Sequence, residues 1–230
     1  MSPRQGWPSS AAALEAEQRA LAKQPVATWK PPSPPLLCGG CFICFGPARG
    51  GREPAWAAAA LLTGHRSLAT RVAAGGAEHP YEPGLLALRE GALLEAAVRA
   101  LPKSPEVLVV NATGRDHPRR AGLALHLGAV LGLPTVGVTD RPLLAQGPGP
   151  SPGRGDRSPL RLEGEVVAHW LVTRAGARPI VVHAGWRTDP DTALLVAMAC
   201  ARRARTPEPL RRARRAARLA RAGAFERAVT

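Results

Sequence analysis

The sequence predicts a mixed α/β fold, in which helices flank a sheet built from a three-stranded antiparallel meander and a set of parallel strands. Two observations support this prediction. Residues 36–75 hold three apolar runs joined by short connections, which is typical of a meander. Helical patterns at 84–101 and 117–133 then alternate with short β-branched runs at 106–113 and 134–140. Strands that are separated by helices usually pair in parallel, so this second region should extend the meander into one mixed sheet.

Residues 1–35 are predicted to form a helix and a connector that precede the main domain. Residues 11–24 contain strong helix formers, and Leu14 and Leu21 lie one heptad apart on one face. The segment WKPPSPP at 29–35 cannot continue a helix or donate to a sheet ladder, because proline lacks the backbone N–H. It therefore predicts a stiff connector to the first strand.

The predicted meander begins with LLCGGCFICF at 36–45, an apolar run that indicates a buried strand. After the turn sequence GPARGGREP at 46–54, the run AWAAAALLTG at 55–64 predicts the second strand. The third strand is predicted in HRSLATRVAAG at 65–75, and a glycine-containing turn joins it to the second.

The main domain is predicted to extend over 36–205. A Gly- and Pro-rich stretch at 146–159 predicts a flexible surface loop, and the apolar runs at 166–172 and 179–185 predict a further pair of strands. Residues 188–205 begin with aspartates and end with arginines, as the dipole of a helix favours. They predict the last helix of this region.

The final segment, 206–230, predicts a basic helix that belongs to the same domain. It contributes to a strong positive charge, since 31 Lys and Arg against 17 Asp and Glu give a net charge of +14. Arginine dominates this excess, and its guanidinium matches a phosphate group bidentately, so nucleic acid is the predicted partner. The alternative is that the charge forms a solvated face or tail on the last helix.

The composition also excludes some classes of protein. No run reaches the roughly 18 apolar residues that would cross a bilayer, and the N-terminus lacks a basic segment followed by an apolar region. We therefore expect a cytoplasmic protein without a membrane partner. Its four cysteines are too few for a disulfide framework in a chain of this size and should remain thiols.

Three of those cysteines, Cys38, Cys41 and Cys44, have the spacing C-x2-C-x2-C, which raises the alternative of a zinc or iron–sulfur site. In a strand, however, residues three apart face opposite sides, so Cys41 should point away from the other two. The fourth, Cys200, lies in a distant predicted helix. The pattern therefore favours buried thiols over a metal cluster.

Several segments of the chain occur in the order and spacing of a known family. They are HPYEPGLLALRE (79–90), VVNATGRDHPRRAGLALHLG (109–128), GLPTVGV (132–138), HAGWRTDPDTAL (183–194) and RTPEPLRRA (205–213). On these segments the chain resembles the endonuclease V family over most of its length. The resemblance implies an RNase H-like fold and a monomeric nuclease. Its substrate would be DNA or RNA that contains hypoxanthine, the deamination product of adenine, and its cofactor Mg²⁺ or Mn²⁺.

The resemblance also points to residues of the metal site, and here the chain departs from the family. Where the family has metal-binding carboxylates on the first strand, on the following helix and after the fourth strand, this chain has Cys41, Glu90 and Asn111. Asp140 stands at a family Lys position and Trp186 at a family His position. A thiolate is too soft for Mg²⁺ and an amide supplies no charge, so we expect weak metal binding and cleavage that is lost or strongly impaired.

Two alternatives keep the chain active. In one, Glu90 binds the metal together with Asn111 or Asp191, or with another acid that moves toward the site, such as Asp116 or Asp140. In the other, Cys41 and His117 favour Zn²⁺.

The family's nucleic-acid-binding motifs are better preserved than its metal ligands. Pro80, Tyr81, Pro83 and Gly84 match a rigid wedge that inserts beside the damaged base, with Tyr81 supplying a stacking face. A packing role for Tyr81 in a proline turn is the alternative. Further residues that the resemblance associates with the backbone or the flipped base are His117, Arg119, Arg120, Gly39, Gly40 and Gly114. The alternative for Arg119 and Arg120 is a solvated helix start, and for His117 a hydrogen-bonded structural residue.

Overall fold

A computed structural model of the chain describes residues 6–48, 53–77 and 79–229. Within these residues the chain forms the following elements, in order: α1 (Ala11–Lys23), β1 (Leu37–Phe45), β2 (Glu53–Thr63), β3 (Arg66–Ala77), α2 (Leu86–Arg99), β4 (Val107–Val110), α3 (Leu123–Leu131), β5 (Thr135–Thr139), β6 (Arg157–Leu162), β7 (Glu165–Leu171), β8 (Ile180–Ala184), α4 (Pro190–Cys200) and α5 (Glu208–Val229).

The strands form one sheet in the order β3-β2-β1-β4-β5-β8-β7-β6. β1, β2 and β3 are an antiparallel meander, and β1, β4 and β5 pair in parallel. β8, β7 and β6 then continue the sheet with antiparallel pairing. This topology confirms the predicted mixed sheet, in which a meander is extended by parallel strands.

Both faces of the sheet are covered, because successive residues of a strand point to opposite sides. In β4, Leu108 belongs to the apolar cluster that contains Leu94 of α2, whereas Val109 belongs to the cluster that contains Leu210 of α5. The central strands are therefore buried on both sides, as expected for the parallel part of a sheet.

Small residues in the first two strands allow helices to approach the sheet closely. The alanines of β2 are buried although alanine is depleted in strands, and a side chain at Gly40 of β1 would lie 2.4 Å from the backbone carbonyl carbon of Pro209. The start of α5 is thus seated directly on β1. The turn between β2 and β3 contains Gly64 with a φ of +55°, a conformation that glycine adopts without strain.

Three elements differ from the prediction. The strand β6 is not among the predicted strands, and its residues 157–159 fall in the predicted surface loop. The helix predicted from residue 117 begins only at Leu123, because Arg120 has a φ of +56°, which a right-handed helix cannot contain. The helix predicted over 188–205 spans Pro190–Cys200 and ends there, since Ala201 is extended.

Residues 49–52, in the turn GPARGGREP between the first two strands, lie outside the described part of the chain. In the part that is described, every helix is too short or too polar to cross a membrane.

Candidate functional site

The end of β4, the middle of β1 and the first turns of α2 meet at a cleft of about 140 Å³. Cys41 on β1 is paired in parallel register with Val110, the last residue of β4, so Asn111 follows beside it. Cys41, Asn111, Glu90 of α2 and Tyr81 all line this cleft. The structure therefore brings together the three positions at which the resemblance places metal ligands.

The thiol of Cys41 is a poor ligand in this setting. Cys41 is fully buried, and its burial together with the nearby carboxylate of Glu90 raises the pKa of the thiol well above its usual value. The metal ligand in proteins is the thiolate. Cys41 is therefore a neutral thiol near neutral pH and contributes no charge.

Glu90 is the acidic side chain of the cleft lining, and its environment weakens its charge. Burial raises the pKa of Glu90 to about 7, although the neighbouring guanidinium of Arg89 opposes this. Arg89 itself is engaged elsewhere: it pairs with Glu53 at 2.5 Å, donates to the carbonyl oxygen of His79 and lies over the ring of Phe45. It thus connects α2 to the meander, while Glu90 faces the cleft.

Asn111 contributes one amide oxygen, and a cation already contacts it. Nη2 of Arg214 on α5 donates to Oδ1 of Asn111 at 3.2 Å. A guanidinium therefore stands where a dication bound to this oxygen would have to approach, and like charges repel each other strongly at such distances.

These groups do not fit Mg²⁺ or Mn²⁺. A hard dication is held by several oxygen ligands, usually including carboxylates. The cleft offers the partly neutral Glu90, the Asn111 oxygen bound by Arg214, and the protonated thiol of Cys41. Among the described residues, no group of three or more His, Cys, Asp and Glu side chains is placed to hold a metal ion.

Asp116, one of the acids that might have moved toward the site, is engaged elsewhere. It is fully buried, and its carboxylate accepts backbone hydrogen bonds of 2.7–2.8 Å from Leu143, Leu144 and Ala145. Its Oδ2 also lies 3.8 Å from Nδ1 of His183. Asp116 therefore fixes the loop after β5 and does not line the cleft.

Asp140 and Asp191 also lie outside the lining of the cleft. Asp140 pairs with Arg205 at 2.5 Å, and this hydrogen bond lowers the pKa of the carboxyl. Asp191 is exposed in the first turn of α4, on a helix that packs against β5, β7 and β8. These acids therefore do not provide the additional carboxylate ligands that an active, rearranged metal site would need.

The segment from Pro80 to Gly84 forms a loop at the mouth of the cleft. Tyr81 is 68% exposed at its tip, between two exposed prolines. At the other end, Gly84 has a φ of +81°, and its carbonyl oxygen lies within hydrogen-bond distance of Gln18, His117 and Arg119. The base of the loop is thus fixed while its aromatic ring is free to meet a ligand.

The side chains of His117 and Arg119 both contact the base of this loop. Nδ1 of His117 accepts from the backbone N–H of Arg119, so Nε2 carries the proton and donates to the Gly84 oxygen. Burial, then the charge of Arg119, lowers the pKa of His117 to about 4, so the ring is neutral near pH 7. The guanidinium of Arg119 also bonds Gln18 and Glu15.

Arg120 is also engaged within the protein. It donates to the carbonyl oxygen of Leu162 and pairs with Glu163 and Glu165. The structure therefore gives Arg119 and Arg120 intramolecular partners in place of the solvated helix start, and contact of either side chain with a phosphate stays a prediction.

Known proteins similar in sequence show the family of the chain. The family model described as Endonuclease V matches residues 20–215. The chain belongs to the endonuclease V family. Endonuclease V of Streptomyces coelicolor is 36% identical over 214 residues, which cover 90% of this chain and 89% of that protein. The resemblance inferred from the motifs is thereby confirmed.

Structures of endonuclease V agree with this assignment. That of Streptomyces avermitilis superposes with a TM-score of 0.83 at 35% identity and covers 96% of both chains. The sequence match to the same protein, 41% identity over 146 residues, spans less than two thirds of its length, namely 64%. Endonuclease V of Ciona intestinalis, in complex with a 24mer DNA containing an inosine followed by a ribo-adenosine, has a TM-score of 0.77 at 21% identity over 90% of this chain and 95% of that one. These superpositions confirm the predicted fold class.

Trp186, at the family's His position, is a core residue in this endonuclease V relative. It is 6% exposed and packs with Leu21, Ala121 and Leu125, between α1 and α3. It does not line the cleft that contains Glu90. Its burial stabilises the contact between the two helices.

The space beside the glycines that the family resemblance associates with a flipped base is occupied by protein atoms. A side chain at Gly114 would lie 1.9 Å from the carbonyl oxygen of Ala184, and one at Gly39 would lie 2.9 Å from Leu108. Gly40, as described above, is covered by the start of α5. Their small size therefore serves close packing in this structure.

The cysteines do not form a three-thiol site. Cys38, Cys41 and Cys44 belong to three different apolar clusters. The expectation that Cys200 lies far from all of them was wrong, because its sulfur donates to the sulfur of Cys38 at 2.9 Å. This contact, followed by burial, raises the pKa of Cys38 well above its usual value.

Two residues of the site were missed by sequence reasoning. Arg214 lies among many arginines of α5, and Gln18 lies on α1 without a distinguishing motif. The helical spacing of Arg214 from the buried positions Leu210, Ala213 and Ala217 was the available signal, since it places Arg214 at the border of the buried face.

Proposed function

We propose that the chain is a nucleic-acid-binding member of the endonuclease V family that recognises DNA or RNA containing hypoxanthine, with phosphodiester cleavage lost or strongly impaired. The observation that carries this proposal is the ligand set of the cleft. Glu90 is its acidic side chain, Cys41 is protonated, and the Asn111 oxygen is bound by Arg214. Metal-assisted hydrolysis needs hard anionic ligands that neutralise and position the ion.

Binding of an unpaired base is supported by the loop at the mouth of the cleft. The exposed ring of Tyr81 is presented on a loop whose base is fixed by three side chains. Stacking of a base on an aromatic ring contributes about 1–3 kcal/mol. The complex of the Ciona protein with inosine-containing DNA supports the choice of nucleic acid as the partner. The expectation of a cytoplasmic monomer stays part of the proposal.

A paired binding and cleavage assay tests the proposal. Labelled strands that differ only in one inosine or adenine, as DNA and as RNA, are incubated with the protein and Mg²⁺ or Mn²⁺. A gel shift reports binding and a denaturing gel reports nicks. We expect a shift that favours inosine, without metal-dependent nicks. We expect Tyr81→Ala to weaken the shift about 5- to 150-fold, and Tyr81→Phe, which retains the ring, to preserve it.

Two outcomes would contradict the proposal, one concerning loss of cleavage and the other concerning recognition of the deaminated base. Nicking that requires the metal and is abolished by Glu90→Ala would show that cleavage survives. Equal binding of inosine and adenine strands would show that the protein does not recognise the deaminated base.

A further inference from the structure

One face of α5 carries a row of arginines beside the buried face of the helix. Arg211, Arg214, Arg215 and Arg218 line a groove of about 360 Å³. Arg214, Arg215 and Arg218 lie three, four and seven residues after Arg211, so the four side chains share one side of the helix. The neighbouring face holds Leu210, Ala213 and Ala217, which are fully buried against the sheet. The row, which we call the arginine groove, is therefore held rigidly on the sheet by the packing of α5.

Arg214 connects the arginine groove to the cleft. Its Nη2 reaches Oδ1 of Asn111, and its guanidinium lies 5.1 Å from the centre of the Phe42 ring. The guanidinium of Arg218 lies over the same ring at 6.0 Å. Nε of Arg214 is buried and has no hydrogen-bond partner among the described residues. This buried donor is therefore left unsatisfied by the described residues, which is unfavourable.

The charge of the groove is poorly compensated. Of the nearby acids, Glu208 pairs with the groove residue Arg211 and with Arg212, and Asp140 pairs with Arg205, which lies outside the groove. In the described part of the chain, no acidic side chain forms a salt bridge with Arg214, Arg215 or Arg218.

Holding these arginines close together is electrostatically unfavourable. Burial, followed by the charge of Arg218, lowers the pKa of Arg214, and Asp140 only partly opposes this. A bound anion would remove that unfavourable interaction. The groove thus favours an anionic ligand with several charges along a line.

We propose that the arginine groove binds the phosphodiester backbone of the nucleic acid, and that Arg214 holds a phosphate oxygen beside Asn111 in place of a divalent metal ion. This inference rests on the proposed function and names how that site holds its strand. A guanidinium donates two parallel hydrogen bonds to a phosphate, so it binds the charge without the carboxylate ligands that a metal needs.

The length of the groove agrees with a nucleic-acid strand. Residues 211–218 span about 10 Å of helix axis at 1.5 Å per residue. A strand of B-form DNA carries a phosphate about every 3.4 Å of axis. The groove is therefore long enough to contact more than one phosphate of a strand, which a single free phosphate ion does not supply.

The test measures affinity for an inosine-containing single strand by fluorescence anisotropy at several salt concentrations. Each titration is done once with Mg²⁺ and once with EDTA. We expect binding in EDTA to be at least as tight as in Mg²⁺, because arginine and not a metal holds the phosphates, and Mg²⁺ competes for them. We expect Arg214→Gln to weaken binding on the order of tenfold. The double variant R215Q/R218Q should reduce the slope of log K against log salt by about 1.4, which is two contacts of about 0.7 each.

The matched control removes the same charge elsewhere. Arg161 lies on β6 and Arg174 follows β7, at the sheet edge opposite the meander, and both are exposed. The variant R161Q/R174Q should keep the affinity and the salt slope of the unmodified protein. R215Q/R218Q changes exposed residues, and its melting temperature shows whether it is folded, so the test does not depend on Arg214→Gln remaining stable.

The outcomes separate this inference from the proposed function. Binding that is lost in EDTA, or an equal loss in the control and in the groove variants, would overturn the role of the groove, while a preference for inosine would leave the proposed function standing. Conversely, equal affinity for inosine and adenine strands, with a salt slope that falls only in the groove variants, would support the groove and contradict recognition of the base. Binding to anionic lipid vesicles as tight as binding to the strand would also overturn the choice of nucleic acid.

Discussion

Nη2 of Arg119 donates a hydrogen bond of 2.8 Å to the carbonyl oxygen of Gly84. Arg119 lies in the segment before α3, and Gly84 ends the loop that carries Tyr81, so this bond ties the loop to the main body of the protein. Gln18 and His117 contact the same oxygen. A carbonyl oxygen with three donors around it is held firmly, and the exposed ring of Tyr81 is therefore presented from a fixed base.

Removal of Arg119 should loosen this loop and destabilise the protein. Arg119→Ala deletes charge-assisted bonds to Gly84, Gln18 and Glu15, and we expect a loss of about 1–3 kcal/mol in the free energy of unfolding. Urea denaturation measures this loss, and hydrogen exchange should show faster exchange near residues 81–85. Arg174→Ala, at an exposed site, is the control. Equal stability of the two variants would show that the bonds to Gly84 contribute nothing.

The raised pKa of Glu90 predicts a dependence of stability on pH. An acid whose pKa is higher in the folded state than in the unfolded state destabilises the fold above its unfolded pKa of about 4.5, and the full cost is reached above about 7. Glu90→Gln should therefore stabilise the protein at pH 8 by roughly 1–3 kcal/mol and have little effect at pH 4. Urea unfolding across this range tests the sign, with the exposed Glu82→Gln as the control. A variant that is less stable than the unmodified protein at pH 8 would contradict the buried, uncompensated state of Glu90.

The cysteines should behave as buried thiols without a metal. Cys38, Cys41 and Cys200 are at most 2% exposed, and Cys44 is 8% exposed. A thiol reagent such as DTNB should therefore react slowly with the native protein, with Cys44 first, and should count four thiols after unfolding. Zinc or iron in the purified protein, released as the thiols react, would restore the metal-cluster alternative.

The sequence was sufficient for the parts of the fold that depend on local pattern. The meander and the parallel strands follow from apolar runs and turn residues. The meeting of Cys41 with Asn111 was implied only by the family resemblance, and it depends on the pairing of β1 with β4. It was insufficient where contacts join distant segments. Arg214 reaches Asn111 across 103 residues, and nothing near either residue indicates the contact. The edge strand β6 was missed because it contains Pro159 and begins inside a Gly- and Pro-rich stretch.

The last prediction concerns what would restore a metal site. Asn111→Asp alone should form an ion pair with Arg214, because that guanidinium already lies 3.2 Å from Oδ1, so it should not bind a dication. Adding Cys41→Asp places a second carboxylate beside Glu90 in a fully buried position, which repulsion and desolvation make costly. The double variant C41D/N111D should thus be less stable than the unmodified protein in EDTA, and Mn²⁺ should restore part of that loss.

Melting temperatures with and without Mn²⁺ measure this effect independently of any cleavage. A ligand at 100 times its Kd stabilises the folded state by about 2.7 kcal/mol, which is easily detected for a domain of this size. We expect a rise for C41D/N111D and none for the unmodified protein or for Asn111→Asp. If the unmodified protein rises as much as the double variant, its cleft already binds the ion, and the ligands that prevent cleavage have been misidentified. If only the double variant rises, the two missing carboxylates are the reason that the unmodified cleft does not hold a dication.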